Sequence, residues 1–250
     1  MPRSWNPDFD SYLSETGGGL QMTTVDLAAG QIAPLASHPV RIIIAIRLKS
    51  PDGNGFRTRE ELPVISKVED AVVDALEKQR DAIFVARTIS EGISSAWLYA
   101  PPGMTREQVE SLCKPLIGDY QVVFIVEEDA NWEAFEEALY PDPFSMQSIQ
   151  NRRVVTELTK NGDRNDVPRP IDHLAYFPSE ATANAASGDL KSLGYVVDAP
   201  KPNRDEWSVS FRRTESLQKG RMDPITAELC ELIADKHGGR YDGWGCMIQR

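Results

Sequence analysis

Residues 40–48 restrict the fold most. They read Val-Arg-Ile-Ile-Ile-Ala-Ile-Arg-Leu, with Arg41 and Arg47 as the only polar interruptions. A strand with one wet face alternates apolar and polar residues. Here Ile42, Ile44 and Ile46 would lie on one face and Ile43 and Ala45 on the other. Both faces therefore need cover, which predicts a central strand.

The residues on either side supply neighbours for it. Asp52-Gly53-Asn54-Gly55 makes a turn. Thr58-x-x-Glu61 has the spacing of a capping box, and Leu62, Ile65, Val68, Val72 and Leu76 then fall on one helical face. Strands are expected at 82–88 and 94–99, joined around Glu91-Gly92. Thr105-x-x-Gln108 is a second box, followed by Val109, Leu112 and Leu116, and residues 120–126 form the next strand. Asn131 is expected to cap a short acidic helix carrying Trp132, Phe135 and Leu139, ending at Tyr140-Pro141. The first 38 residues predict one weak strand at 21–27, after a flexible break at Gly17-Gly18-Gly19. From residue 40 to about 127 the order is β-α-β-β-α-β, the split-βαβ or ferredoxin-like arrangement.

The same order returns near the C-terminus. A strand at 171–177 precedes a helix capped by Ser179 and ended by Gly194. Strands follow at 195–199 and 207–214, with a turn at 201–204. Asp223-Pro224 predicts a helix start, and Gly238-Gly239 precedes a last strand at 241–248. A mixed-polarity helix at 144–160 and the proline-bearing stretch 163–170 connect the two parts. At 250 residues the chain fits two units of ordinary domain size, each able to bury a core. The expectation is an α+β protein of two ferredoxin-like units with antiparallel sheets and helices on one face, divided at 1–162 and 163–250.

Composition excludes several classes. No apolar run is long enough for a signal peptide or a membrane span. The three cysteines, Cys113, Cys230 and Cys246, lack C-x-x-C spacing and are odd in number, which argues against a zinc finger or a disulfide framework. A reducing cytoplasm is the expected location. His38, His173 and His237 lack metal-ligand spacing, and neither H-E-x-x-H nor Gly-x-Ser-x-Gly occurs. No cofactor is expected. The net charge of −11 is uneven: residues 1–162 hold 24 acids and 15 bases, residues 163–250 hold 14 and 12. Such a field opposes phosphate and attracts basic partners.

Three short runs carry a family resemblance: Asp172-His173-x-x-Tyr176-Phe177-Pro178, Leu193-Gly194-Tyr195, and Tyr241-Asp242-Gly243-Trp244-Gly245. Together they resemble the RraB family, regulators of ribonuclease E activity. The likeness covers about residues 165–250. It implies a cytoplasmic ferredoxin-like protein that binds the endoribonuclease, or its basic scaffold region, and lowers transcript cleavage without catalysis. The N-terminal part resembles a family of unknown function often fused ahead of such a domain. Glu69-Asp70, Asp129-x-x-Trp132 and Leu139-Tyr140-Pro141 carry that likeness, which implies no activity.

Candidate binding residues are Asp172, His173, Tyr176, Arg212, Asp242 and Trp244. Asp172 and His173 are neighbours in a strand and point to opposite faces, so they cannot form a dyad. Trp207, Val209 and Phe211 read as core, with Ser208, Ser210 and Arg212 on the other side. Gly243 and Gly245 allow a bulge or close approach of another chain beside an exposed Trp244 indole, while a packed edge is the more ordinary reading. An RNA-recognition sheet would carry an aromatic and glycine run on its third strand. Trp207-Ser208-Val209-Ser210-Phe211 is not one, so direct nucleic-acid binding is not expected. The resulting expectation is a non-catalytic regulator acting by protein–protein binding. The alternative is a small-molecule sensor or enzyme with a pocket in the N-terminal domain, prompted by the two apolar faces of 40–48.

Overall fold

The computed structural model describes residues 5–250. They form two units, one ending at Pro141 and the other running from Asp142 to Arg250.

The first unit is built on a six-stranded sheet in which every neighbouring pair is antiparallel. Its elements are β1 (Phe9–Thr16), β2 (Gly19–Asp26), β3 (Val40–Arg47), α1 (Leu62–Arg80), β4 (Ile83–Ser90), β5 (Ile93–Ala100), α2 (Arg106–Ile117), β6 (Val122–Glu128) and α3 (Glu133–Ala138). The strand order is β1-β2-β4-β5-β3-β6. Counted within the β-α-β-β-α-β run, the last four strands interleave as two split βαβ units. Residues 40–47 are central as expected, with β5 on one side and β6 on the other.

On the helix side, Val40, Ile42, Ile44 and Ile46 pack with Ile65, Val72 and Leu76 of α1 and Val109, Cys113 and Ile117 of α2. Burial raises the Cys113 thiol to about 12, which leaves it an inert core group. Leu62 and Leu116, expected on the buried faces, are exposed instead. The Thr105 box forms in full, Thr105 and Gln108 satisfying one another's backbone amides. The Thr58 box does not. Thr58 accepts from the Glu61 amide, while the Glu61 carboxylate accepts from Lys49 and Ser50 at the exit of β3 (2.7 and 2.9 Å).

The second face of β3 is covered in part from within the unit: Ile43 is buried there, while Arg41 and Ala45 are half-buried. Trp132 is wholly buried. Its indole stacks on Tyr99 at 3.8 Å with 11° between planes, and its Nε1 donates to the His38 carbonyl at 2.8 Å. Phe135 meets that indole edge-on at 5.7 Å. The pocket alternative rested on this face needing a cover. The N-terminal hairpin was also only half foreseen. β1 and β2 pair along eight residues each, and Gly17-Gly18 is their two-residue turn rather than a loose break.

The second unit comprises α4 (Pro143–Lys160), β7 (Arg169–Phe177), α5 (Glu180–Ser192), β8 (Val196–Val197), β9 (Lys201–Asn203), β10 (Glu206–Glu215), α6 (Met222–Cys230), a π-helical turn (Glu231–Lys236) and β11 (Arg240–Gly245). The order β11-β7-β10-β8 repeats the interleaved pattern, with β9 also pairing to β10. Helix α4 groups with this unit, which moves the boundary from 162 to 141. Val155 and Leu158 pack on this unit's core, and a polar network adds to them. Asn151, 2% exposed on α4, donates to Asp223 (2.9 Å) and Thr226 (2.8 Å) of α6 and accepts from Trp244 Nε1 (2.8 Å). Asp223 therefore lies in the first turn of α6 rather than capping it.

Residues 201–203, expected as a turn, form a short strand. The turn itself falls at Arg204-Asp205, with Arg204 at φ 54°. The stretch after α4 is also tied down. The buried Arg169 guanidinium pairs with Asp163, and Asp163 accepts from the Gln249 amide at 2.7 Å.

Candidate functional site

Alternation along β7 and β10 sorts the second unit's sheet into two faces. One face packs on the helices: Ile171, Ala175 and Phe177 of β7 with Val209 and Phe211 of β10, against Ala183, Ala186, Leu190, Ile225 and Leu229. The other face carries Asp172, Leu174 and Tyr176 of β7 opposite Arg212, Ser210 and Ser208 of β10. Asp172, Ser210 and Arg212 are exposed there, and Leu174 and Tyr176 are half-buried. Five of the six candidate residues, Asp172, His173, Arg212, Asp242 and Trp244, line a depression of about 430 Å³ beside Asp198 and Ser210.

Tyr176 is the candidate residue that does not line it. Asp172, Tyr176 and Arg212 share the open face. Asp242 sits at its β11 edge, paired to Arg240 at 2.6 Å, and the Arg240 guanidinium lies 4.6 Å from the Tyr176 ring centre. The expected irregularity is present: the β11–β7 register shifts between Tyr241 and Gly243, where Gly243 takes φ 109°.

His173 and Trp244 belong to the opposite face. Trp244 pairs with His173 across β11 and β7, and its indole turns inward to Asn151, the packed-edge arrangement. A two-residue period cannot reveal this, because the bulge resets which β11 side chains point inward.

His173 is 2% exposed. Its Nδ1 is hydrogen-bonded to the Tyr241 hydroxyl at 2.8 Å, and its ring stacks on Phe211 at 5.1 Å. Burial, aided by the Arg213 cation, lowers its pKa to about 4. Burial also raises the Tyr241 hydroxyl well above the usual phenol range and pushes Tyr195 up to about 12. A neutral imidazole in this setting is a core group.

The open face offers no base-stacking platform on its third strand. The β10 aromatics Trp207 and Phe211 lie on the helix side, and Arg240 already covers Tyr176. What the face does present is a mixed polar surface with Leu174 between Asp172 and Tyr176.

The residues behind the N-terminal likeness have structural work. Asp129, rather than Asn131, caps α3: it accepts from the Glu133 amide (2.8 Å) and from the Tyr99 hydroxyl (2.7 Å). Trp132 follows as the buried plug, at φ 56°. Glu69 is 1% exposed and ion-paired to Arg57 (2.6 Å) and Arg87 (3.1 Å), with Ser94 also hydrogen-bonded to it.

Residues 7–140 match the model of a family of unknown function (DUF695), and this match spans more than half of the sequence. The chain belongs to that family. Residues 148–246 match the family described as regulator of ribonuclease activity B. The DUF695 region thus precedes an RraB region, and the RraB match takes in most of α4, in agreement with the unit boundary at 141. The family's description supports a regulatory role.

No curated protein matches the chain. Two solved structures share low similarity. One, described as a "putative glycine cleavage system transcriptional repressor", is 6% identical with a TM-score of 0.26, covering 84% of this chain and 98% of that one. The other, an unknown protein from Galdieria sulphuraria, is 10% identical with a TM-score of 0.22, covering 83% and 99%. Similarity at this level carries no argument about fold or function.

Proposed function

We propose that the protein is a non-catalytic regulator that lowers the activity of an RNA-degrading endoribonuclease by binding it through the C-terminal unit. One observation carries the reading: the region that matches the ribonuclease-regulator family folds as a complete unit whose His173 is buried and neutral, while one sheet face stays open. A regulator that works by contact needs an accessible surface and no reactive group. The open face, with Asp172, Tyr176 and Arg212, supplies one. The pocket alternative has less support, since Trp132 and Tyr99 fill part of the space that prompted it. A reducing cytoplasm suits a partner of this kind.

The test is capture of the purified endoribonuclease, and separately of its basic scaffold region, by the full chain at low and high salt. A cleavage assay on a structured transcript runs in parallel. Binding is expected at low salt, with slower cleavage in proportion to occupancy. Absence of both binding and inhibition at low salt would end the proposal.

A further inference from the structure

We infer that the groove between the C-terminal ends of α5 and of the α6–π helix is a docking site for a lysine- and arginine-rich protein segment carrying an apolar residue. The groove encloses about 530 Å³ and is lined by Asp189, Ser192, Leu193, Glu228, Glu231, Leu232, Asp235 and Lys236. Its chemistry differs from the rest of the unit, whose acids and bases are nearly balanced overall.

Four carboxylates meet here against one ammonium group. Asp189 is held below the usual carboxylate range by hydrogen bonds from Lys236 (2.8 Å) and His237 (2.7 Å). Glu228, Glu231 and Asp235 are exposed and have no ion-pair partner among the described residues. Their spacings of three and four place them along one side of the helix. Leu193 and Leu232 are half-buried and give the groove an apolar component.

Helix direction adds to the field. Residues 189–193 are the last turn and exit of α5, and residues 231–236 end the other helix, so the C-terminal turns of both helices flank the groove. Arg213 offsets part of this by donating to the Leu193 carbonyl at 3.0 Å. Phosphate-bearing ligands are disfavoured by this charge. Among the described residues no group of three or more His, Cys, Asp or Glu is placed to hold a metal ion. A cationic peptide with an apolar anchor satisfies the unpaired carboxylates and the two leucines together.

This inference rests on the reading that the C-terminal unit works by protein binding, and it moves the main contact from the open sheet face to the helix side. The probe is a fluorescein-labelled synthetic peptide of alternating arginine and leucine, titrated into the full chain by anisotropy. Two control peptides replace either every arginine with glutamate or every leucine with serine. Binding is expected for the parent only, weakening as salt rises. The variant E228K/E231K/D235K is expected to lose about tenfold in affinity, from three lost charge contacts of modest strength each.

If that variant fails to fold by circular dichroism, E231Q/D235N serves, with an expected loss of about threefold. Backbone amide shifts should move at residues 189–193 and 228–236. Shifts confined to residues 172–176 and 208–212, or an affinity unchanged by both variants, overturn the groove. Endoribonuclease capture separates the two claims: capture retained by the groove variant sinks the groove alone, while no capture by the unmodified chain sinks the functional reading.

Discussion

The two units interleave their strands in the same order yet treat the sheet face away from their helices in opposite ways. The first extends its sheet with β1 and β2 and places the Trp132–Tyr99 stack over that face. The second leaves Asp172, Tyr176, Ser210 and Arg212 at the surface and puts its polar network on the helix side, among Asn151, Asp223, Thr226 and Trp244. Strand order therefore does not decide which face is available. Short additions outside the β-α-β-β-α-β run decide it, here residues 129–139 in one unit and α4 in the other.

Removing the plug is the strongest way to break this contrast. Trp132→Ala deletes a fully buried indole, its stack on Tyr99 and its bond to the His38 carbonyl. The expected cost is about 3–5 kcal/mol. It should appear as lost hydrogen-exchange protection along β3, with β7 amides much less affected. Equal loss in both units would show that the two faces are not maintained independently.

A titration tests the buried side of the second unit. His173 has a folded-state pKa of about 4 against an ordinary 6.5. The unfolded chain therefore binds the proton more readily, so the histidine's contribution is complete above pH 6.5 and is lost as pH falls towards 4. The difference amounts to about 3 kcal/mol. Urea midpoints read from C-terminal resonances should drop across this window. His173→Leu should flatten that drop, and an unchanged slope would place the proton uptake elsewhere.

The smallest effect sharpens the comparison from the other side. Tyr176→Ala and Arg212→Ser alter the open face, where no core packing is at stake. Each is expected to change thermal stability by less than about 0.5 kcal/mol. A drop comparable with that of Trp132→Ala would mean that this face is structural after all.

Much of the architecture was legible because periodicity is local. The run at 40–48 announced a central strand. The capping pair at Thr105 and Gln108, the Ser179 cap and the Gly194 helix exit stood where the structure has them. Legibility failed where a residue's partner is distant in sequence. Glu61 reads as half of a capping box but serves the Lys49 and Ser50 amides. Asp223 reads as a cap but binds Asn151, 72 residues away. The candidate site fared similarly, since alternation separated Asp172 from His173 while the β11 bulge turned Trp244 inward.

The groove was the least visible feature. Glu228, Glu231 and Asp235 look like an ordinary solvated helix face, and only packing brings Asp189 and Leu193 alongside them.

By itself, the sequence determined the α+β class, the order of elements, the central place of β3 and the family relationship. These depend on side-chain polarity at short spacing, which the chain carries directly. Only the tertiary structure decided that α4 belongs to the second unit, which sheet face stays open, and where the acids gather. Those outcomes depend on the pairing of buried polar groups and the meeting of helix ends far apart in the chain, and no local period encodes either.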